Sequence, residues 1–134
     1  MSTVKQESGG TGAFGPPVAW AILIFIASSI PQDAFPASRL FSQDKLIHAA
    51  VFGVLALLVF RGLRMRKPAA PVFSAVWLTM VISTLYGALD EIHQLYVPGR
   101  SCDVFDLLAD ALGAALVVAG AFLWERRRAG GREA

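Results

Sequence analysis

Two short stretches of this chain hold most of the side chains that could do chemistry. The first is DKLIH, residues 44–48, and the second runs from Asp90 to Asp110. Together they contain six of the ten acidic residues and both histidines, His48 and His93. Asp44 and His48, Asp90 and Gln94, and Asp106 and Asp110 each stand four apart, so on helices each pair shares one face. His48 or Glu91 is placed to act as a general base. Asp90, Asp106 and Asp110, with His48, form a candidate set for a divalent cation: oxygen ligands favour Mg²⁺, Ca²⁺ or Mn²⁺, and imidazole admits Zn²⁺. Lys45 and Arg100 could anchor an anion, and Gln94 and Asp110 could donate or accept hydrogen bonds. With neutral histidines, six carboxylates against Lys45 and Arg100 leave about −4, too much for a partly buried site. Protonated carboxyls, charged histidines or a bound cation would each relieve it. No HExxH zinc motif, G-x-S-x-G turn or phosphate-cradling glycine loop occurs.

The same residues admit purely structural roles. Asp44, Asp103 and Asp106 could cap helix N-termini. His48 could be satisfied by Asp44, and Arg100 could pair with Glu91 or Asp106. Gly113 and Gly120, with Ala109, make a small-residue seam suited to close helix packing. Cys102 is the single cysteine, which excludes an intrachain disulfide.

The elements that must position these groups are set by lipid. Of 134 residues, 55% are hydrophobic and 16% charged, where soluble domains carry nearer a quarter charged. The sequence therefore predicts an all-α integral membrane bundle of four transmembrane helices. Phe14 to Ile30 is a first apolar span ended by Pro31. Only 15 uncharged residues separate Lys45 from Arg61, about 22 Å of helix against a hydrocarbon core near 30 Å, so the second helix must begin near Asp44. Pro68 to Leu89 is a third span. Ala111 to Trp124 is too short alone, so the fourth must reach back to about Val104, carrying Asp106 and Asp110 into the membrane. Such intramembrane carboxylates face a bundle interior or a water-filled cleft. The expected organisation is a disordered cytoplasmic tail over 1–13, the helical domain over 14–124 and a basic cytoplasmic tail over 125–134.

Nine of the twelve Lys and Arg fall on one side of such a bundle, with Arg39, Lys45 and Arg100 on the other. Positive-inside bias then puts both termini in the cytoplasm of a multi-pass cell-membrane protein. Trp20 and Trp124 are expected near the inner interface. No basic stripe interleaved with aromatics appears, which argues against a nucleic-acid partner.

The segments DKLIHAAVFGVLAL (44–57) and DEIHQLYVPGRSCDVFDLLADALGA (90–114) closely resemble the VanZ-like family. The matching residues are Asp44, Lys45 and His48; Asp90, Glu91, Gln94, Pro98, Gly99 and Arg100; and Asp106, Asp110 and Gly113. Asp110 stands where asparagine is often found, and Asp103 where a small polar residue is usual; both add negative charge. The resemblance implies a small four-helix membrane protein with an envelope role, and the family takes its name from a member associated with low-level resistance to the glycopeptide teicoplanin.

The leading expectation is that an outer-side site formed by Asp44, Lys45, His48, Asp90, Glu91, Gln94, Arg100, Asp106 and Asp110 binds a membrane-lipid head group, a cell-envelope precursor or an antibiotic fragment. Binding there would affect envelope properties or glycopeptide susceptibility. An intramembrane enzyme using a divalent cation as cofactor on a lipid-linked substrate is one alternative, and a structural membrane subunit another. A proton pathway is disfavoured, because nothing ionisable continues inward beyond His48 and Asp110.

Overall fold

The computed structural model describes residues 12–31 and 41–131. The tail over 1–11, residues 32–40 with Arg39, and residues 132–134 lie outside the described residues, as do Lys5 and Arg132 of the charge count. The described chain is all helical: α1 Gly15–Ser28, α2 Phe41–Arg66, α3 Val72–Gln94 and α4 Val104–Gly130. Three helices, α2, α3 and α4, are long and apolar enough to cross a membrane. Large apolar side chains such as Leu46, Trp77, Leu85 and Leu116 point outward from them, as expected when the solvent is hydrocarbon.

Side-chain partners give the order of the bundle. Lys45 meets Asp103 and Asp106, His48 meets Asp110, and Arg64 meets Glu125, so α2 and α4 run parallel with their N-termini together. Helix α3 runs against both. Helix α1 is parallel to α3, because Tyr86 donates to the Ala21 carbonyl and Ser28 to Asp90. One end of the bundle thus gathers the N-termini of α2 and α4 and the C-termini of α1 and α3. The positive dipole ends of α2 and α4 lie beside Asp44, Asp103 and Asp106, whereas Asp90 and Glu91 sit at the negative end of α3. The opposite, basic end holds Arg64, Arg66 and Arg126 to Arg128, with the Arg128 guanidinium 4.2 Å from the Trp124 ring centre.

Close approach of α2 and α4 requires glycine. A Cβ on Gly113 would overlap the backbone of Ala49, and one on Gly53 would come 3.1 Å from Val117. The expected partner of Gly113, Gly120, has open space around its Cβ position instead; Gly53 on α2 takes that role. Towards the basic end the interior is apolar, built from Ala56, Phe60, Ala75, Ala114 and Val118.

Several helix boundaries differ from expectation: α3 begins at Val72 and not Pro68, and α4 runs on past Trp124 to Gly130. Helix α1 has 14 residues and stops at Ser28, ahead of Pro31; that is about 21 Å of helix. The Ser29 hydroxyl donates to the Phe25 carbonyl at 2.6 Å, competing with continued helix. Helix α3 does not end at Leu89 but continues through Asp90 and Glu91 to Gln94, since buried partners replace water around those side chains. Trp20 donates its indole N–H to the Val51 carbonyl at 3.0 Å, tying α1 to α2.

Candidate functional site at the acidic end

The polar residues at the acidic end form two neighbouring groups. The first lies among α2, α3 and α4. Lys45, near the start of α2, places its ammonium 2.9 Å from Asp103 Oδ2 and 2.7 Å from Asp106 Oδ1. Asp103 is the N-cap of α4, accepting the Phe105 N–H at 2.8 Å. The Lys45 ammonium and the Phe105 N–H hold the Asp103 carboxyl below the usual aspartate range. One turn deeper, His48 Nδ1 lies 3.1 Å from Asp110 Oδ1. Glu91 reaches in from α3, its Oε2 accepting the Asp103 backbone N–H at 2.8 Å. Glu91, Asp106 and Asp110 are all buried.

The second group walls a cavity of about 180 Å³ among α1, α2 and α3. Its polar lining is Ser28, Asp44, His48, Asp90, Gln94 and Arg100; Ile24, Ala27, Ile30, Ile47, Val51 and Phe52 supply the apolar part. Asp90 accepts from the Ser28 hydroxyl at 2.6 Å and from the Gln94 amide at 3.0 Å. Arg100, in the segment after α3, donates through Nε to the Ile30 carbonyl at 3.0 Å and through a terminal nitrogen to that of Ala27 at 3.3 Å. His93 pairs through Nε2 with the Ser29 hydroxyl at 2.9 Å and packs on Phe25. Ile47 remains 45% exposed, so the cavity reaches the lipid-facing side of the bundle.

Several expected pairings are corrected by this arrangement. The partner of His48 is Asp110 across the bundle, not Asp44 on its own helix. Arg100 takes main-chain carbonyls at the end of α1 instead of Glu91 or Asp106; the i+4 residue of Ala27 is Pro31, which has no N–H, and the Ile30 N–H reaches that carbonyl only at 3.3 Å. Asp103 caps α4 as expected, while Asp44 sits inside the first turn of α2. Lys45 faces two carboxylates, which compete with any anion it would anchor. The residues expected to share a cation also separate: Asp90 belongs to the cavity wall, whereas ligand atoms of His48, Glu91 and Asp110, and of Asp44, His48 and Asp106, each lie within 4.8 Å of one another. Sequence reasoning missed Ser28, whose hydroxyl holds Asp90 from a stretch with no charged neighbour, and Phe52, which packs beneath His48 with its ring centre 6.4 Å away.

No curated protein and no solved structure matches this chain. The family model described as VanZ/LLP1 matches residues 16–125, from the start of α1 to the end of the apolar part of α4. With the match spanning all four helices and both polar groups, the chain belongs to the VanZ/LLP1 family.

Proposed function

We propose that this membrane protein binds the polar head group of an amphipathic envelope ligand in the cavity among α1, α2 and α3, and thereby modifies envelope properties, including glycopeptide susceptibility. The observation that carries this reading is the lining of that cavity: Asp44, Asp90 and Arg100 share it with six apolar side chains. Two acids opposite one guanidinium suit a zwitterionic head group, with its amine toward Asp44 and Asp90 and its phosphate toward Arg100. The apolar lining and the exposed Ile47 suit the attached chain. In this reading all four helices cross the cytoplasmic membrane, α1 being completed by flanking apolar residues, with both termini cytoplasmic and the acidic end outside. The basic residues at the opposite end support that orientation.

The test is thermal stabilisation of delipidated protein in detergent with chelator present, titrated with an aminophospholipid or an acidic phospholipid lacking the amine. The aminophospholipid should stabilise the wild type, and Asp44→Asn should weaken its binding by about tenfold. Equal stabilisation by both lipids, or by neither, would remove the head-group reading. A lipid-linked precursor bearing an amine, titrated in parallel, separates an envelope intermediate from bulk phospholipid.

A further inference from the structure

Glu91 and Asp110 are the most deeply buried carboxylates described, at 2% and 1% exposure. Each has one oxygen engaged, Glu91 Oε2 by the Asp103 N–H and Asp110 Oδ1 by His48. Their other oxygens, Glu91 Oε1 and Asp110 Oδ2, are buried without a hydrogen-bond partner among the described residues. Buried carboxylate oxygens are costly to leave unpaired, so two such atoms in one cluster call for a ligand. Both atoms are acceptors, so the ligand is a cation, a proton or a hydrogen-bond donor such as water.

Geometry and donor type favour a metal ion. Ligand atoms from His48, Glu91 and Asp110 lie within 4.8 Å of one another. Donors about 2.1 Å from a shared metal stand about 3.0–3.5 Å apart. The 4.8 Å limit therefore leaves a modest closure, which rotation of the Glu91 and Asp110 carboxylates supplies, the His48 Nδ1–Asp110 Oδ1 hydrogen bond of 3.1 Å giving way as the ion replaces its proton. The alternative trio, Asp44, His48 and Asp106, shares His48, but the Lys45 ammonium already holds Asp106 Oδ1 at 2.7 Å and no orphaned oxygen marks it. This group holds four carboxylates, Asp103, Asp106, Glu91 and Asp110, against one ammonium, that of Lys45 at Asp103 and Asp106, so a dication also lowers the net negative charge.

We propose that His48, Glu91 and Asp110 bind one divalent transition-metal ion, of the Zn²⁺ or Mn²⁺ class, that ties α2, α3 and α4 together at the acidic end. An imidazole nitrogen and only two carboxylates suit such an ion better than Mg²⁺ or Ca²⁺, which take mostly oxygen and more of it. Three protein donors leave a coordination position open. His48 also walls the neighbouring cavity, but the metal site does not depend on what that cavity binds.

The experiment uses full-length protein in detergent, stripped with chelator and titrated with Zn²⁺, Mn²⁺ and Mg²⁺, followed by elemental analysis and thermal stabilisation. One Zn²⁺ or Mn²⁺ per chain should be retained, with Mg²⁺ at the same concentration failing to replace it. Glu91→Gln and Asp110→Asn should each weaken binding by about tenfold or more, while Glu125→Gln at the basic end leaves it unchanged. Zinc-edge X-ray absorption on the wild type, which needs no variant to fold, should show imidazole and oxygen scatterers without sulfur. Absence of stoichiometric metal, equal binding of Mg²⁺, a sulfur scatterer, or unchanged affinity in both variants would overturn the assignment. Loss of binding in Asp106→Asn with retention in Glu91→Gln would overturn it in favour of the other trio.

Discussion

A carboxylate within a membrane bundle persists only where other groups replace its water, and Asp103 shows how this is done at the bundle mouth. Its carboxyl bonds both the Lys45 ammonium and the Phe105 N–H, so its folded-state pKa lies below the ordinary value of 3.8. A lowered folded pKa means that the charge contributes stability above the unfolded value and loses it as pH falls through the folded one. Asparagine can still cap the helix, so Asp103→Asn isolates the charge. The melting-temperature gap between wild type and Asp103→Asn should stay constant from neutral pH to about pH 5 and shrink in more acid solution. Gly113 offers a second residue-scale test, because a Cβ there meets the Ala49 backbone, which cannot swing aside as a side chain would. Gly113→Ala should cost about 1–3 kcal/mol in reversible unfolding in detergent. Gly120→Ala, with open space at its Cβ position, should be neutral or stabilise by up to about 1 kcal/mol.

At the scale of elements, α1 is held to the bundle by Ile24, packed with Phe52, Leu55 and Val59, and by polar contacts: Trp20 to Val51, Tyr86 to Ala21, Ser28 to Asp90, Ser29 with His93, and Arg100 to the Ala27 and Ile30 carbonyls. Removing the Arg100 contacts should free its last turn. Arg100→Ala is expected to speed amide exchange at Ser29 and Ile30 by about tenfold while leaving Val59 and Phe60 on α2 unchanged, as read by hydrogen-exchange mass spectrometry. The starts of α2 and α4 were legible in the sequence because hydrocarbon thickness demands more residues than the uncharged runs supply, which drew Asp106 and Asp110 into the bundle. The end of α3 was not, since Asp90 and Glu91 look like a boundary until Ser28, Gln94 and the Asp103 N–H are seen to receive them. The i,i+4 rule found residues sharing a helical face but not their partners: Asp110 lies 62 positions from His48. Arg100 was misread for a related reason, because the carbonyls it binds belong to the main chain and leave no mark in residue type.

For the whole molecule, polarity is divided along its length. The acidic end holds both histidines and most of the described carboxylates, and α3 continues inward with the buried hydroxyls of Ser83 and Thr79. Beyond them Ala56, Phe60, Ala75, Ala114 and Val118 close the interior with hydrocarbon. An electric field across a membrane falls mainly where the medium is least polarisable, so this apolar half acts as the dielectric of a capacitor, with the carboxylates gathered near one plate. A charged species entering the acidic end crosses only a small part of that field, although a full crossing would be worth about 2.3 kcal/mol per charge at 100 mV. Cation or head-group affinity in proteoliposomes should therefore change by less than about twofold when a 100 mV potassium diffusion potential is imposed in either direction. Introducing a charge at Val118 would move the insulating layer itself and make the same equilibrium respond to voltage.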